Sequence, residues 1–268
     1  MNFGLIIVGD EILSGKRADK HLPKVIELLE ARGLALSWAR YVGDDRKRIT
    51  ADLEDAFASG DAVFSCGGIG ATPDDHTRQC AAAALGVPLE LHPAARDLVL
   101  ERMRDMAREQ GKPYEPDRED NRHRLNMAVF PQGAEIIPNP FNKIAGFSVR
   151  RGEGGVFFVP GFPVMAWPMI EWVLDTHFHA RQSPRQTRER SVIVFGTMEA
   201  TLTPLMEAIE AEFRGVKVFS LPTLEHPEWG RHIELGVKGD PAATGPAFER
   251  LLAGLGAYDA KLGPRLVR

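Results

Sequence analysis

The stretch SCGGIGATPDDHTRQ, Ser65–Gln79, sets three glycines directly before two aspartates. Gly67, Gly68 and Gly70 permit positive φ and let a ligand approach the backbone, while the start of a helix supplies free N–H groups for an anion. Carboxylates repel phosphate, so Asp74 and Asp75 beside such a turn make chemical sense on one of two conditions. Either a divalent cation lies between acid and phosphate, or the carboxylate takes a ligand hydroxyl or an attacking water. Magnesium in particular is held by one or two carboxylates together with substrate phosphates. Thr77, just beyond, carries a hydroxyl that can bond a phosphate or a ligand hydroxyl. A purely structural reading of the same residues also exists. Thr72 suits an N-cap, Pro73 the first helical position, and Asp74 and Asp75 a first turn, where the helix dipole favours negative charge. Asp75 would then close a capping box with Thr72. The glycine spacing matches neither the dinucleotide fingerprint nor the lysine-bearing phosphate loop.

Other acids fall at equivalent points. Asp10 and Glu11 stop the first apolar run, and Asp44 and Asp45 follow the second. In a parallel sheet all of them emerge at the edge that carries the glycine turn. The structural alternative makes Asp44 the N-cap of its helix and Asp10 and Glu11 simple strand stops.

The elements that must position these residues alternate short apolar runs with helical-period runs, the pattern of a parallel sheet covered on both faces. FGLIIV, LALSWARYV and DAVFSC read as strands. The helices between them end at Gly33, Gly60 and Gly86, residues suited to a left-handed cap. HPAARDLVLERMRDMAREQG is an amphipathic helix with Leu98, Met103 and Met106 near one face, and EPDREDNRHRLNM is charged all round, a solvated helix face with i, i+4 pairs. AEIIPNP, GFSVRR and GVFFVPG follow as strands, then VMAWPMIEWVLDTHF as a closing helix kinked or shortened by Pro168. ARQSPRQTRER, residues 180–190, reads as a linker between a domain at 1–180 and a small two-layer α/β domain at 188–268 built from SVIVF, LTPLMEAIEAEF, VKVFSL, HIELGV and PAATGPAFERLLAGL.

The 268 residues suffice for a domain plus a smaller companion. With 44% hydrophobic and 26% charged residues a sizeable core is available, and a net charge of −4 without a basic tract disfavours nucleic acid and anionic membranes as partners. No run is long and apolar enough to span a bilayer, and the first apolar run reads as a buried strand rather than a signal peptide. The two cysteines, Cys66 and Cys80, are too few for a disulfide framework, which together with these points predicts a cytoplasmic protein. With His76 they are also too few for a zinc site, and each reads as a small buried side chain.

Taken in order, IIVGDEILSGKRADKH, YVGDDRKRI and CGGIGATPDDHT resemble the MoaB/Mog molybdopterin-binding domain, in the form found at the amino end of CinA-type competence/damage-inducible proteins. FPQGAEIIPNP and VFFVPGFPVMAWPM resemble later motifs of that form, and the segment after the linker resembles its small α/β domain. The carboxy-terminal deamidase domain of longer CinA proteins has no counterpart in the resemblance. What it implies is a three-layer α/β/α domain with a mostly parallel sheet, homo-oligomeric assembly, and a Gly-Gly turn that holds the phosphate of a pterin or nucleotide. It also implies that Asp75 and Asp44 are the functional acids. Asn139 of the asparagine–proline pair, Lys143 as a phosphate counter-charge and Gly161 of the proline–glycine turn would extend the ligand-binding set. The form is linked to metal-dependent cleavage of ADP-ribose and similar pyrophosphates, giving AMP and a sugar phosphate.

The leading expectation is therefore a nucleotide pyrophosphatase. Gly67, Gly68 and Gly70 would hold the phosphate, and Asp75, with Asp10 and Asp74, would bind a divalent Mg, Mn or Co ion that polarises the phosphoryl oxygen and activates a water. The alternatives are a molybdopterin-binding protein or molybdenum-cofactor transferase, and a non-catalytic assembly module. The sequence departs from the family pattern at Lys20 and His21, where an asparagine is usual, along Asn142–Gly146, and at Met165, where relatives carry a glutamate.

Overall fold

The computed structural model describes residues 1–182 and 188–267. The chain divides into two compact units, Met1–Ser183 and Pro184–Arg268.

In the first unit β1 (Phe3–Val8) leads into a single helical turn, α1 (Asp10–Leu13), then α2 (His21–Glu30), β2 (Leu36–Val42), α3 (Arg46–Ser59), β3 (Ala62–Cys66) and α4 (Thr77–Leu85). There follow β4 (Leu89–Leu91), α5 (Pro93–Glu109), α6 (Glu119–Arg124), a 3-10 turn at Leu125–Ala128, β5 (Val129–Pro131), β6 (Glu135–Ile137), β7 (Gly146–Arg151), β8 (Gly154–Val159) and α7 (Pro163–His177). Among the described residues six strands pair in the order β2-β1-β3-β8-β7-β6. β1 runs parallel to β2 and β3, β3 runs parallel to β8, and β7 pairs antiparallel with both β8 and the edge strand β6.

The central strands β1, β3 and β8 are apolar on both faces because helices cover both. Val25 and Leu29 of α2 and Ile170 and Leu174 of α7 pack on Leu5, Phe64 and Phe157. On the other face Ile49 and Leu53 of α3, Ala81 of α4 and Val99 of α5 pack on Ile6, Val63 and Phe158. The three-layer α/β/α architecture with a mostly parallel sheet is thus present.

Register decides where the chemistry collects. Val8 pairs with Val42, Ile7 with Cys66, and Cys66 with Val159. The ladders continue one residue further, with Gly9 N donating to Val42 O and Gly67 N to Val159 O, both at 3.0 Å. The carboxyl ends of the parallel strands therefore lie level, and the chain leaves them at Gly9, Gly43, Gly67 and Pro160 along one edge.

Several local features differ from the sequence reading. The helix after the glycine turn begins at Thr77, with His76 in the cap position, so Thr72 is not its N-cap. Thr77 N donates to Gly68 O at 3.0 Å, and this tertiary bond fixes the first helical amide. Thr72 and Asp75 instead close a separate turn, in which Asp75 N donates to Thr72 O at 3.1 Å, while Thr72 N and Oγ1 donate to Asp75 Oδ2 at 2.8 and 2.5 Å. Asp10 and Glu11 open α1 rather than merely stopping a strand. The cap of α3 is Asp45, whose Oδ1 accepts from Arg48 N at 2.9 Å, which leaves Asp44 free of that duty. On α5 the buried stripe is Ala95, Val99 and Met103, with Leu98 half-buried beside it. α7 runs unbroken through Pro168 because the carbonyl that a residue there would bond belongs to Val164, in the exposed first turn. The short antiparallel pair of β4 and β5 was not anticipated, since three residues are too few to show alternation.

In the second unit β9 (Arg188–Phe195), α8 (Glu199–Glu212), β10 (Val216–Thr223), β11 (His232–Gly239), α9 (Pro241–Leu255) and β12 (Lys261–Val267) form an antiparallel sheet in the order β10-β11-β9-β12. α8 and α9 pack Leu202, Ile209 and Leu251 against Val192, Val194 and Leu235. This is the expected smaller two-layer α/β unit, with two corrections. Arg188–Arg190, where the expected linker and the expected domain overlap, belong to β9, and β12 is an added edge strand in which Gly263 and Pro264 obscure the strand pattern. Residues 183–187 of the expected linker lie outside the described residues.

Candidate functional site

A cavity of about 840 Å³ opens at the carboxyl edge of the parallel strands, lined by Gly67, Gly68, Gly70, Asp44, Asp74, Asp75 and Gly161 among others. Close approach of three loops requires the glycines. Gly67 has φ 108° and Gly68 φ 68°, and a methyl group on Gly67 would meet Val8 O while one on Gly68 would meet Thr77 Oγ1. Among the described residues no acceptor takes the amides of Gly68, Ile69 and Gly70, so the turn lines the cavity with unsatisfied donors. Such donors favour an anion.

Burial raises the Asp44 carboxyl above its ordinary value, and the negative charges of Asp10, Glu11 and Asp74 push in the same direction against the Asp10 amide. Asp10 is not among the cavity-lining residues, its carboxylate accepting from Asp44 N at 3.2 Å. Asp75 lines the cavity, although one of its oxygens is held by Thr72. Among the described residues no group of three or more His, Cys, Asp or Glu side chains is placed to hold a metal ion. The expected Asp75, Asp10 and Asp74 set is not a ready-made metal cage, because Asp10 and Asp75 are engaged by backbone amides and by the Thr72 hydroxyl.

Three other expected residues stand behind the site rather than in it. Thr77 is fully buried and its hydroxyl donates to Gly67 O at 3.1 Å, so it shapes the turn. Asn139 is 5% exposed; its amide donates to Asn142 Oδ1 at 2.8 Å and Ile144 O at 3.0 Å, and its oxygen accepts from Phe141 N at 3.0 Å, which folds the loop carrying Asn142 and Ile144. Lys143 adopts φ 68°, and its ammonium is taken by Glu101 at 2.6 Å and Asp105 at 2.7 Å. Two carboxylates on α5 draw it away from the cavity. His21 is buried, and its Nε2 lies 3.0 Å from Gly161 O, linking α2 to the proline–glycine turn.

The sequence reading missed the cations and the apolar wall. Lys16 and Arg17 line the cavity with no ion-pair partner among the described residues, whereas Arg102 and Arg124, also lining it, are engaged by Glu109 and Asp120. The signal was the Gly-Lys-Arg run behind Asp10 and Glu11. Met103, Met106, Met127 and Met165 line another part of the wall; in the sequence Met103 and Met106 fall on an amphipathic helix face, Met127 at the end of a charged stretch and Met165 at a departure from the family pattern. Nothing in the spacing of the sequence singles out Arg78. It is 4% exposed, donates to Asn126 O and, at 2.5 Å, to Gly70 O, and burial lowers its pKa while Asp75 raises it. Cys66 and Cys80 are buried free thiols, burial pushing both up.

Fold and site together define a three-layer α/β protein with an anion-accepting glycine turn at the carboxyl edge of its sheet. The chain belongs to the family described as "Probable molybdopterin binding domain", whose sequence model matches residues 4–179. It is similar to a CinA-like protein of Anaeromyxobacter dehalogenans, 37% identical over 182 residues, which are 68% of this chain and 42% of that one. A protein of Pyrobaculum arsenaticum is 31% identical over 205 residues, 76% of this chain and 74% of that one. Among solved structures, the protein CinA with unknown function from Thermoplasma acidophilum aligns at 25% identity and a TM-score of 0.54, over 65% of this chain and 96% of that one. The chain spans less than half the length of the CinA-like relatives from Anaeromyxobacter. Among the described residues no helix is long and apolar enough to cross a membrane.

Proposed function

We propose that the large cavity binds a phosphate-bearing pterin of the molybdopterin type. The observation that carries this is the pairing of free glycine-turn amides with unengaged Lys16 and Arg17 in one cavity that also has a methionine wall. The amides and cations suit the phosphate, and Met103, Met106, Met127 and Met165 offer a soft, adaptable surface to a flat ring system. Family membership supports the same ligand class. Fluorescence titration with molybdopterin tests it. Saturable binding that weakens in the Lys16→Ala/Arg17→Ala double variant is expected, and a parent protein that shows no saturable binding sinks the reading.

The second reading is cleavage of ADP-ribose or a related pyrophosphate, favoured by Asp44. A carboxyl with a raised pKa at the cavity edge is suited to take a proton from an attacking water. The described residues do not form a cage for a divalent ion, so this role is assigned to Asp44 alone. Incubation with ADP-ribose in Mg, Mn or Co buffers is expected to release AMP in the parent and none in Asp44→Asn. Equal rates in the two proteins would reject this reading while leaving pterin binding standing.

A further inference from the structure

We propose that a second cavity, sharing the wall formed by residues 71–75 with the first, is a site for a small phosphate-class oxyanion. It measures about 450 Å³ and is lined by Arg46, Arg78, His76 and His123 together with that wall. This cavity goes beyond the pterin reading and uses different side chains.

Arg78 carries the argument. It sits in the first turn of α4, 4% exposed, with Nη1 and Nη2 on the carbonyls of Asn126 and Gly70. Its Nε is buried without a hydrogen-bond partner. Among the described residues no carboxylate lies within ion-pair distance of it, and Asp75, which acts on it from further off, already accepts two bonds from Thr72. A guanidinium withdrawn from water without an ion pair is costly, and an anion in the adjoining cavity supplies the missing charge. Arg46, at the start of α3, adds a second guanidinium with no ion-pair partner among the described residues, and exposed on the cavity rim. Two guanidiniums against one carboxylate leave the lining cationic; Arg78 contributes its charge from behind the wall, and the planar fork of Arg46 matches the geometry of phosphate oxygens. The imidazoles of His76 and His123 complete the lining as donors, His123 having only a 4.0 Å contact with exposed Glu119.

The test follows the ring-proton NMR signals of His76 and His123, assigned with His76→Gln and His123→Gln, while inorganic phosphate is titrated at fixed pH and ionic strength. Saturable shifts of both imidazoles are expected in the parent. Arg46→Ala should weaken the apparent affinity about tenfold, Arg46→Lys less so, since a lysine keeps the charge without the fork. The Lys16→Ala/Arg17→Ala double variant should leave the midpoint unchanged, which separates this cavity from the larger one. The proposal is overturned if neither imidazole shifts saturably, if Arg46→Ala titrates like the parent, or if the response vanishes in the double variant.

Discussion

Asp10 and Asp44 hold each other through their backbones: Asp10 N donates to Asp44 Oδ2 at 3.0 Å, and Asp44 N donates to Asp10 Oδ1 at 3.2 Å. Two acids from different strand ends are thereby fixed side by side at one edge. Asp44 is raised by burial and by neighbouring negative charge, so the folded protein binds its proton more tightly than the unfolded chain does. That contribution favours the fold below the ordinary carboxylate range and is lost as pH rises through the folded value. Asp44→Asn keeps an oxygen for the Asp10 amide and removes the charge. At pH 7 the variant should be as stable as the parent or more so, by at most about 0.5 kcal/mol after solvent screening, and the margin should close near pH 4. Calorimetry at the two pH values decides, and an Asn variant less stable than the parent at neutral pH contradicts the account.

Gly68→Ala places a methyl group at φ 68° and against Thr77 Oγ1. A left-handed alanine costs roughly 1 kcal/mol and the disturbed Thr77 bond about as much again, so a loss of about 2 kcal/mol is expected by urea denaturation. Ligand affinity should fall with it, because the amides that line the cavity shift. Parent-like stability would mean that the turn is not held as described.

Thr77→Val preserves shape and removes the hydroxyl that donates to Gly67 O. Burying that carbonyl without its partner should cost about 1–2 kcal/mol, whereas Thr77→Ser should cost less. A Val variant as stable as the Ser variant would show the bond to be dispensable.

Lys143 supplies a contrast. Its ion pairs are solvent-exposed, so Lys143→Ala should lose at most about 1 kcal/mol and leave ligand affinity unchanged. Lys143→Gly should be more stable than Lys143→Ala by roughly 1 kcal/mol, since only glycine enters φ 68° without a steric penalty. Reduced pterin binding in either variant would return Lys143 to the site.

Lys16→Ala and Arg17→Ala each remove an exposed cation from the cavity wall. Their effect on affinity for a phosphate-bearing ligand should shrink as salt is raised from about 0.05 to 0.5 M, because exposed charges are screened over a Debye length. Affinities that differ equally at both salt concentrations would indicate loss of packing rather than of charge.

The alternation of apolar strands and amphipathic helices is legible in the amino-acid sequence, and with it the covered parallel sheet, the glycine turn at its carboxyl edge and the smaller α/β unit. These features are written in local periodicity and in glycine placement, which depend on neighbours a few residues away. Which polar groups face the large cavity depends on tertiary structure. Asp45 rather than Asp44 caps α3, Thr77 and Asn139 turn inward to brace the loops, and Lys143 is captured by α5. Each of those outcomes depends on a partner distant in the chain, such as Gly67 O for Thr77 or Asp105 for Lys143. Lys16 and Arg17 show in the sequence only as a Gly-Lys-Arg run, and what that run faces is decided once the strands beside it are brought into register. A side chain's type and spacing state what it can bond, and only the packed fold determines what is left unbonded.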